Sequence, residues 1–171
     1  MEFQKANEEV EMQFYPGDLA VYPAHGVGRI EAIESRSVGG ETQDFYILKI
    51  LENSMVIMIP IKSMEVVGLR NVIKKKDIGK VYEVMKGESD DKICRQPWNR
   101  RQRYYMDKIR TGSLLEVAEI FRDLVHLKER KVLSFGERKL LDNVRGLLVK
   151  ELCAAKEKDE KTVISEIETF F

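Results

Sequence analysis

GRIEAIESRSVGGETQDFYILKI, Gly28 to Ile50, places two runs rich in Ile, Val, Phe and Tyr on either side of a glycine pair. Paired glycines accept the positive φ of a primed two-residue turn, so Gly39-Gly40 predicts a β-hairpin. Working outward, FYPGDLAVYP before the hairpin and MVIMIPI after it have strand composition, with a second reversal at Asn53-Ser54. Four or five short antiparallel strands within about 55 residues are too few for a two-sheet sandwich. A small curled barrel of the SH3 or Tudor kind is the expectation.

Beyond Gly68 the period changes. Leu114, Val117, Ala118, Phe121, Leu124 and Val125 fall on one helical face, and Leu140, Leu141, Val144, Leu147, Leu148 and Leu152 form a second such stripe. Ser113 with Glu116, and Ser134 with Glu137, give each helix an S-x-x-E capping box. Further helices are expected around residues 77–86 and 160–170, and Pro97 favours a helix start at Trp98 because its missing N–H is harmless there. The fold class is therefore two-domain, β then α: a small SH3/Tudor-like antiparallel barrel at 14–71 and a compact all-α domain at 72–171, preceded by an extension at 1–13.

Composition narrows the function. Of 171 residues 43% are hydrophobic, as in a globular chain, and no apolar run approaches the roughly 20 residues that span a bilayer. The amino end is acidic where a secretory signal would be basic, so the expected location is the cytoplasm. Cys94 and Cys153 stand far apart with no C-x-x-C, which suggests neither a disulfide framework nor a zinc site. His25 and His126 have no serine or cysteine partner in a motif, and the G-x-G of AHGVGRI lacks the third glycine and the helix of a dinucleotide fingerprint. No enzyme activity, metal or cofactor is expected, and nothing demands more than a monomer.

The net charge is zero but unevenly spread. Residues 1–71 carry six basic and eleven acidic side chains, whereas residues 72–171 carry twenty-three and eighteen. Within 92–110 there are seven basic residues and one acid, Asp107. Such asymmetry predicts two halves with different partners. RQPWNRRQRYY, Arg95 to Tyr105, holds the single tryptophan. At 100° per residue Trp98, Gln102, Tyr105 and Ile109 share a face, Arg100 and Arg103 point away, and Arg101 flanks. One reading is a core tryptophan beside a solvated basic face. The other is an aromatic wedge for a distorted minor-groove step, with arginines on phosphates. In Met55 to Ile61 both strand faces are apolar and Pro60 suits an edge, which predicts either cover by the helical half or by the amino-terminal extension, or pairing with a partner protein.

FYPGDLAVYPAHGVGRIEAIE, ESRSVGGE, MIPIKSMEVVGLR and PWNRRQR, in this order, closely resemble the CarD/CdnL family of bacterial transcription regulators. A related amino-terminal module occurs in the transcription-repair coupling factor, whose helicase motifs are absent here. The resemblance implies a Tudor-like domain that docks on the RNA polymerase β subunit through Arg36, Met58 and Pro60. It implies a helical domain that contacts promoter DNA at the upstream edge of the melted region, through Trp98, Arg100, Arg101 and Arg103. The implied outcome is a stabilised open complex, without sequence-specific readout. The alternative is a Tudor/SH3-like interaction adaptor whose helical domain is only a scaffold.

Overall fold

The structure is a computed structural model that describes residues 13–171; the amino-terminal extension read at 1–13 lies, but for Gln13, outside the described residues. Strands β1 (Leu19–Tyr22), β2 (Gly26–Val38), β3 (Glu41–Ile50) and β4 (Val56–Pro60) form one antiparallel sheet in the order β1-β2-β3-β4. Gly39 and Gly40 have φ of 61° and 82°, the primed turn that the glycine pair predicts. A β-bulge between Ile30 and Ala32 bends β2 and lets the sheet curl. Among the described residues the expected barrel is a half-barrel of four strands, joined beyond β1 by a bridge between Val21 and Arg70. The first strand is shorter than its composition suggests. Tyr15 donates its N–H to the Asp18 carboxylate at 2.8 Å and Gly17 takes a φ of 95°, a turn that bonds Gly17 and Asp18 to Ile30 but leaves the regular ladder to start at Leu19.

The glycines of AHGVGRI have a packing role. A Cβ on Gly28 would lie 2.7 Å from Leu48 Cδ1 and 3.0 Å from the Lys49 carbonyl oxygen. Leu48 is fully buried, so neither neighbour can yield freely. Gly28→Ala is expected to destabilise the protein by about 1–3 kcal/mol, the usual result of overpacking, as a fall in Tm. Unchanged thermal unfolding would show that the strand shifts to accommodate the methyl.

After β4 come α1 (Met64–Val67), α2 (Ile78–Lys86), α3 (Asp91–Cys94), α4 (Trp98–Arg110), α5 (Leu114–Arg130), α6 (Phe135–Lys156) and α7 (Glu160–Glu168). The short α1 and α3 carry too few residues for a periodic signal and were not expected. At α6 the capping box is complete: the Ser134 hydroxyl accepts the Glu137 N–H at 3.3 Å and Glu137 accepts the Ser134 N–H at 2.8 Å. At α5 it is not. The Glu116 carboxylate pairs with the Thr111 hydroxyl, and the Ser113 side chain makes no cap bond. A nearer hydroxyl competes successfully for the carboxylate.

Two separate apolar cores result. One, around Phe14, Ile30, Tyr46, Leu48 and Ile59, lines the concave side of the sheet; the other, around Tyr105, Ile120, Leu124, Val144 and Leu148, fills the helical part. The parts meet where β2 lies against α6, with a Cβ on Gly26 only 3.2 Å from Leu147. Among the described residues no helix is long and apolar enough to cross a membrane.

Candidate functional site

The strand register settles which side chains share the outer face of the sheet. Glu34 pairs with Phe45 and Phe45 with Pro60; Ala32 pairs with Ile47 and Ile47 with Met58; Arg36 pairs with Gln43. Directly paired residues point to the same side, and the period of two carries that side along each strand. Arg36, Met58 and Pro60 therefore lie on one surface, opposite the side occupied by buried Tyr46 and Ile59. Val56 and Met58 are exposed there, and the half-buried Phe45 and Ile47 extend the apolar strip. Arg36 is exposed and forks onto Glu34 of the same strand at 2.9 and 3.2 Å. Among the described residues strand β4 pairs only with β3, which leaves its outer edge unpaired by them. Phe45 and Ile47 could have been read from the alternation in β3, which puts every second residue on this face.

The second surface centres on α4, which begins at Trp98 after Pro97. The Trp98 indole is half-buried against Gly136 in the first turn of α6. A Cβ at Gly136 would lie 3.0 Å from indole Nε1 and 3.1 Å from Cε2, so any larger residue would push the ring outward by a few tenths of an ångström. Arg100 and Arg103 are exposed; the ion pairs of α4 are those of Arg101, Lys108 and Arg110. Beside the indole the α5–α6 junction presents two apolar side chains to solvent, Val132 at 88% and Phe135 at 74% exposure. Lys131, Arg138 and Lys139 stand exposed around them. Sequence reasoning missed Phe135. Its signal was angular: nine residues before Val144, it falls opposite the buried stripe of α6.

Arg101 requires a correction. Its expected place was among the phosphate-facing arginines, but it is 4% exposed and turned inward, while Gln102, expected inside, is exposed. Its Nε–H donates to the Gln96 carbonyl at 3.0 Å and its Nη2 to Glu137 at 2.5 Å, and the guanidinium lies 5.2 Å from the centre of the Trp98 ring. Arg101 and Gln102 sit at opposite margins of the helix stripe, so either could turn in. The acid that decides between them is on another helix. Glu137 is 1% exposed and also accepts Lys131 at 3.0 Å. Burial alone would raise the Glu137 carboxyl, but hydrogen bonds from Arg101, the Ser134 N–H and Lys131 outweigh it and hold it down at about 2. The buried pair therefore fixes the start of α6, with Gly136 and Phe135, against the start of α4, with Trp98.

The described residues thus form a curled sheet with an apolar outer strip, joined to a helix bundle with a basic aromatic ledge, which are two candidate binding surfaces. The family description "CarD-like/TRCF RID domain" matches residues 14–73, and "CarD, C-terminal domain" matches residues 80–168. The Bacillus subtilis (strain 168) protein named "Putative transcription factor YdeB" is 37% identical over 155 residues, covering 89% of this chain and 98% of that relative. Among solved structures, "CdnLNt" from Myxococcus xanthus is 51% identical over 38% of this chain and 92% of its own, with a TM-score of 0.32. The 72-residue amino-terminal domain of Myxococcus xanthus CarD is 33% identical over 36% and 81%, with a TM-score of 0.31. The chain belongs to the CarD family of transcription factors.

Proposed function

We propose that this protein docks on the RNA polymerase β subunit and stabilises the promoter open complex through sequence-independent contacts at the upstream edge of the melted DNA. Docking belongs to residues 14–71, with Arg36, Met58 and Pro60 on the contacting face. DNA contact belongs to residues 72–171, with Arg100 and Arg103 on phosphates and Trp98 against a distorted minor-groove step. Arg101 holds Trp98 in place from inside. The observation that carries this reading is the ledge, where aromatic rings with exposed area stand among cations of which Arg100, Arg103, Arg138 and Lys139 are exposed and form no ion pair among the described residues. A face that is merely solvated mixes its charges.

The chemistry required is modest. Docking raises the local concentration of the ledge near DNA, so weak intrinsic affinity suffices. Only the difference in affinity between the open and closed promoter shifts the equilibrium, and a ring that fits an unstacked step supplies that difference. Phosphate contacts and groove shape carry the rest, without base readout. The protein acts as a monomer in the cytoplasm, without catalysis or cofactor.

The test is the lifetime of a promoter open complex on the organism's own polymerase, challenged with competitor DNA. Wild type is expected to lengthen it. Met58→Glu places an unpaired charge in the docking strip and is expected to abolish both the gain and the retention of a β-subunit fragment, without lowering Tm, because Met58 is exposed. Full retention of the fragment by Met58→Glu would remove the sheet face from the proposal.

A further inference from the structure

One residue belongs to both parts of the molecule. The backbone of Arg70 extends the sheet: its carbonyl accepts the Val21 N–H at 2.7 Å and its N–H donates to the Val21 carbonyl at 3.1 Å. Its side chain, about a third exposed, reaches into the helical part, and Nη1 also donates to the neighbouring Asn71 carbonyl at 3.0 Å. Two guanidinium nitrogens fork onto Glu151 of α6 at 2.6 and 2.9 Å, while Nε–H donates to the Gly112 carbonyl at 2.8 Å. Glu151 is 3% exposed and also accepts the Ile73 N–H at 3.0 Å. A bidentate arginine–carboxylate pair fixes angle as well as distance, which a lysine could not.

Gly112 ends the segment that follows α4. Its φ is 75°, and a Cβ there would lie 3.0 Å from Pro23 Cγ, in the turn after β1. Arg70 and Pro23 thus hold the far end of α4 against the sheet. The other end of this 13-residue helix carries Trp98. A helix of that length is a rod of about 20 Å, so a small rotation at Gly112 moves the indole by several ångströms.

We infer that Arg70 is a positioning residue, clasping α4 and α6 to the sheet so that a docked sheet determines where Trp98 meets DNA. The inference rests on the proposed function for its consequence but not for its geometry. Two separately folded cores on a flexible tether would give the ledge only a diffuse local concentration. A rigid mount concentrates it at one place.

The experiment measures the inter-spin distance between labels at Val66→Cys on α1 and Gln102→Cys on α4, in a Cys94→Ala, Cys153→Ala background. Wild type is expected to give one narrow distribution. Arg70→Ala with Glu151→Gln, which leaves no buried charge behind, is expected to broaden it at least about twofold and to cut the gain in open-complex lifetime about tenfold, toward what a flexible tether supplies. Affinities for the β fragment and for free DNA should stay within about twofold, since neither surface is touched. Arg70→Lys, which keeps the charge and the fold but loses the fork, should fall between. An unchanged distribution in the folded variants overturns the clasp, and a broadened one with an undiminished lifetime gain overturns its positioning role. Should wild type fail to prolong the open complex, the functional proposal falls while the distances still decide whether Arg70 fixes the geometry.

Discussion

Arg101→Ala is expected to lower the unfolding free energy by about 3–5 kcal/mol, the usual result of removing one partner of a buried ion pair. The loss arises mainly from what remains. Glu137, 1% exposed in the intact protein, keeps Lys131 and the Ser134 N–H as its other partners among the described residues, and Gln96 loses the donor to its carbonyl. Urea denaturation followed by circular dichroism measures it. The double variant Arg101→Met, Glu137→Met, which removes both charges and keeps the volume, should recover much of the loss because no charge is left buried. A loss below about 1 kcal/mol for Arg101→Ala would mean that the Glu137 carboxylate reaches water instead.

The same pair sets a pH window. The Glu137 carboxyl is held at about 2 in the folded protein, below its ordinary 4.5. A group depressed in this way contributes stability that is fully present above the unfolded value and is lost as pH falls toward the folded one. Stability should therefore fall between about pH 4.5 and pH 2, and less steeply in Glu137→Gln. Part of the slope remains in that variant because Glu166, held by Lys156 and Lys158, is also lowered to about 2.

Much of what depends on neighbours in sequence was legible in it. Gly39-Gly40 marks its turn because only the local backbone matters there, and Ser134 with Glu137 marks the start of α6 because both partners fall within four residues. Two of the failures are long-range. Sequence spacing identifies Glu137 as a cap residue but cannot show that its other oxygen awaits a guanidinium 36 residues away, so Arg101 reads as one more surface arginine. Nothing around Arg70 in the sequence hints that its side chain serves Glu151, 81 residues on. The box at Ser113 fails for the opposite reason, since a competitor at Thr111 lies just outside the four-residue pattern. At the candidate site, the residue types were readable, whereas the division between ring, cation and internal support depends on how α4 meets α6.

Trp98→Ala is expected to shorten the open-complex lifetime gained from the protein about tenfold, near the low end of the 1–3 kcal/mol that an aromatic contact to an unstacked base contributes. Trp98 alone gives an ambiguous result, because its half-buried indole also packs on Gly136 and truncation leaves a gap beside Arg101. Phe135 separates the two causes. At 74% exposure its ring supports little of the fold, so Phe135→Ala should leave Tm unchanged while taking about threefold from the lifetime. The two rings flank Gly136 and would meet the same stretch of DNA, so the double variant should lose less than the sum of the singles. If Phe135→Ala changes neither quantity, and the Trp98→Ala loss is restored by stabilising the fold elsewhere, the ledge is scaffold. The outer face of the sheet would then carry the whole function, as the adaptor reading requires.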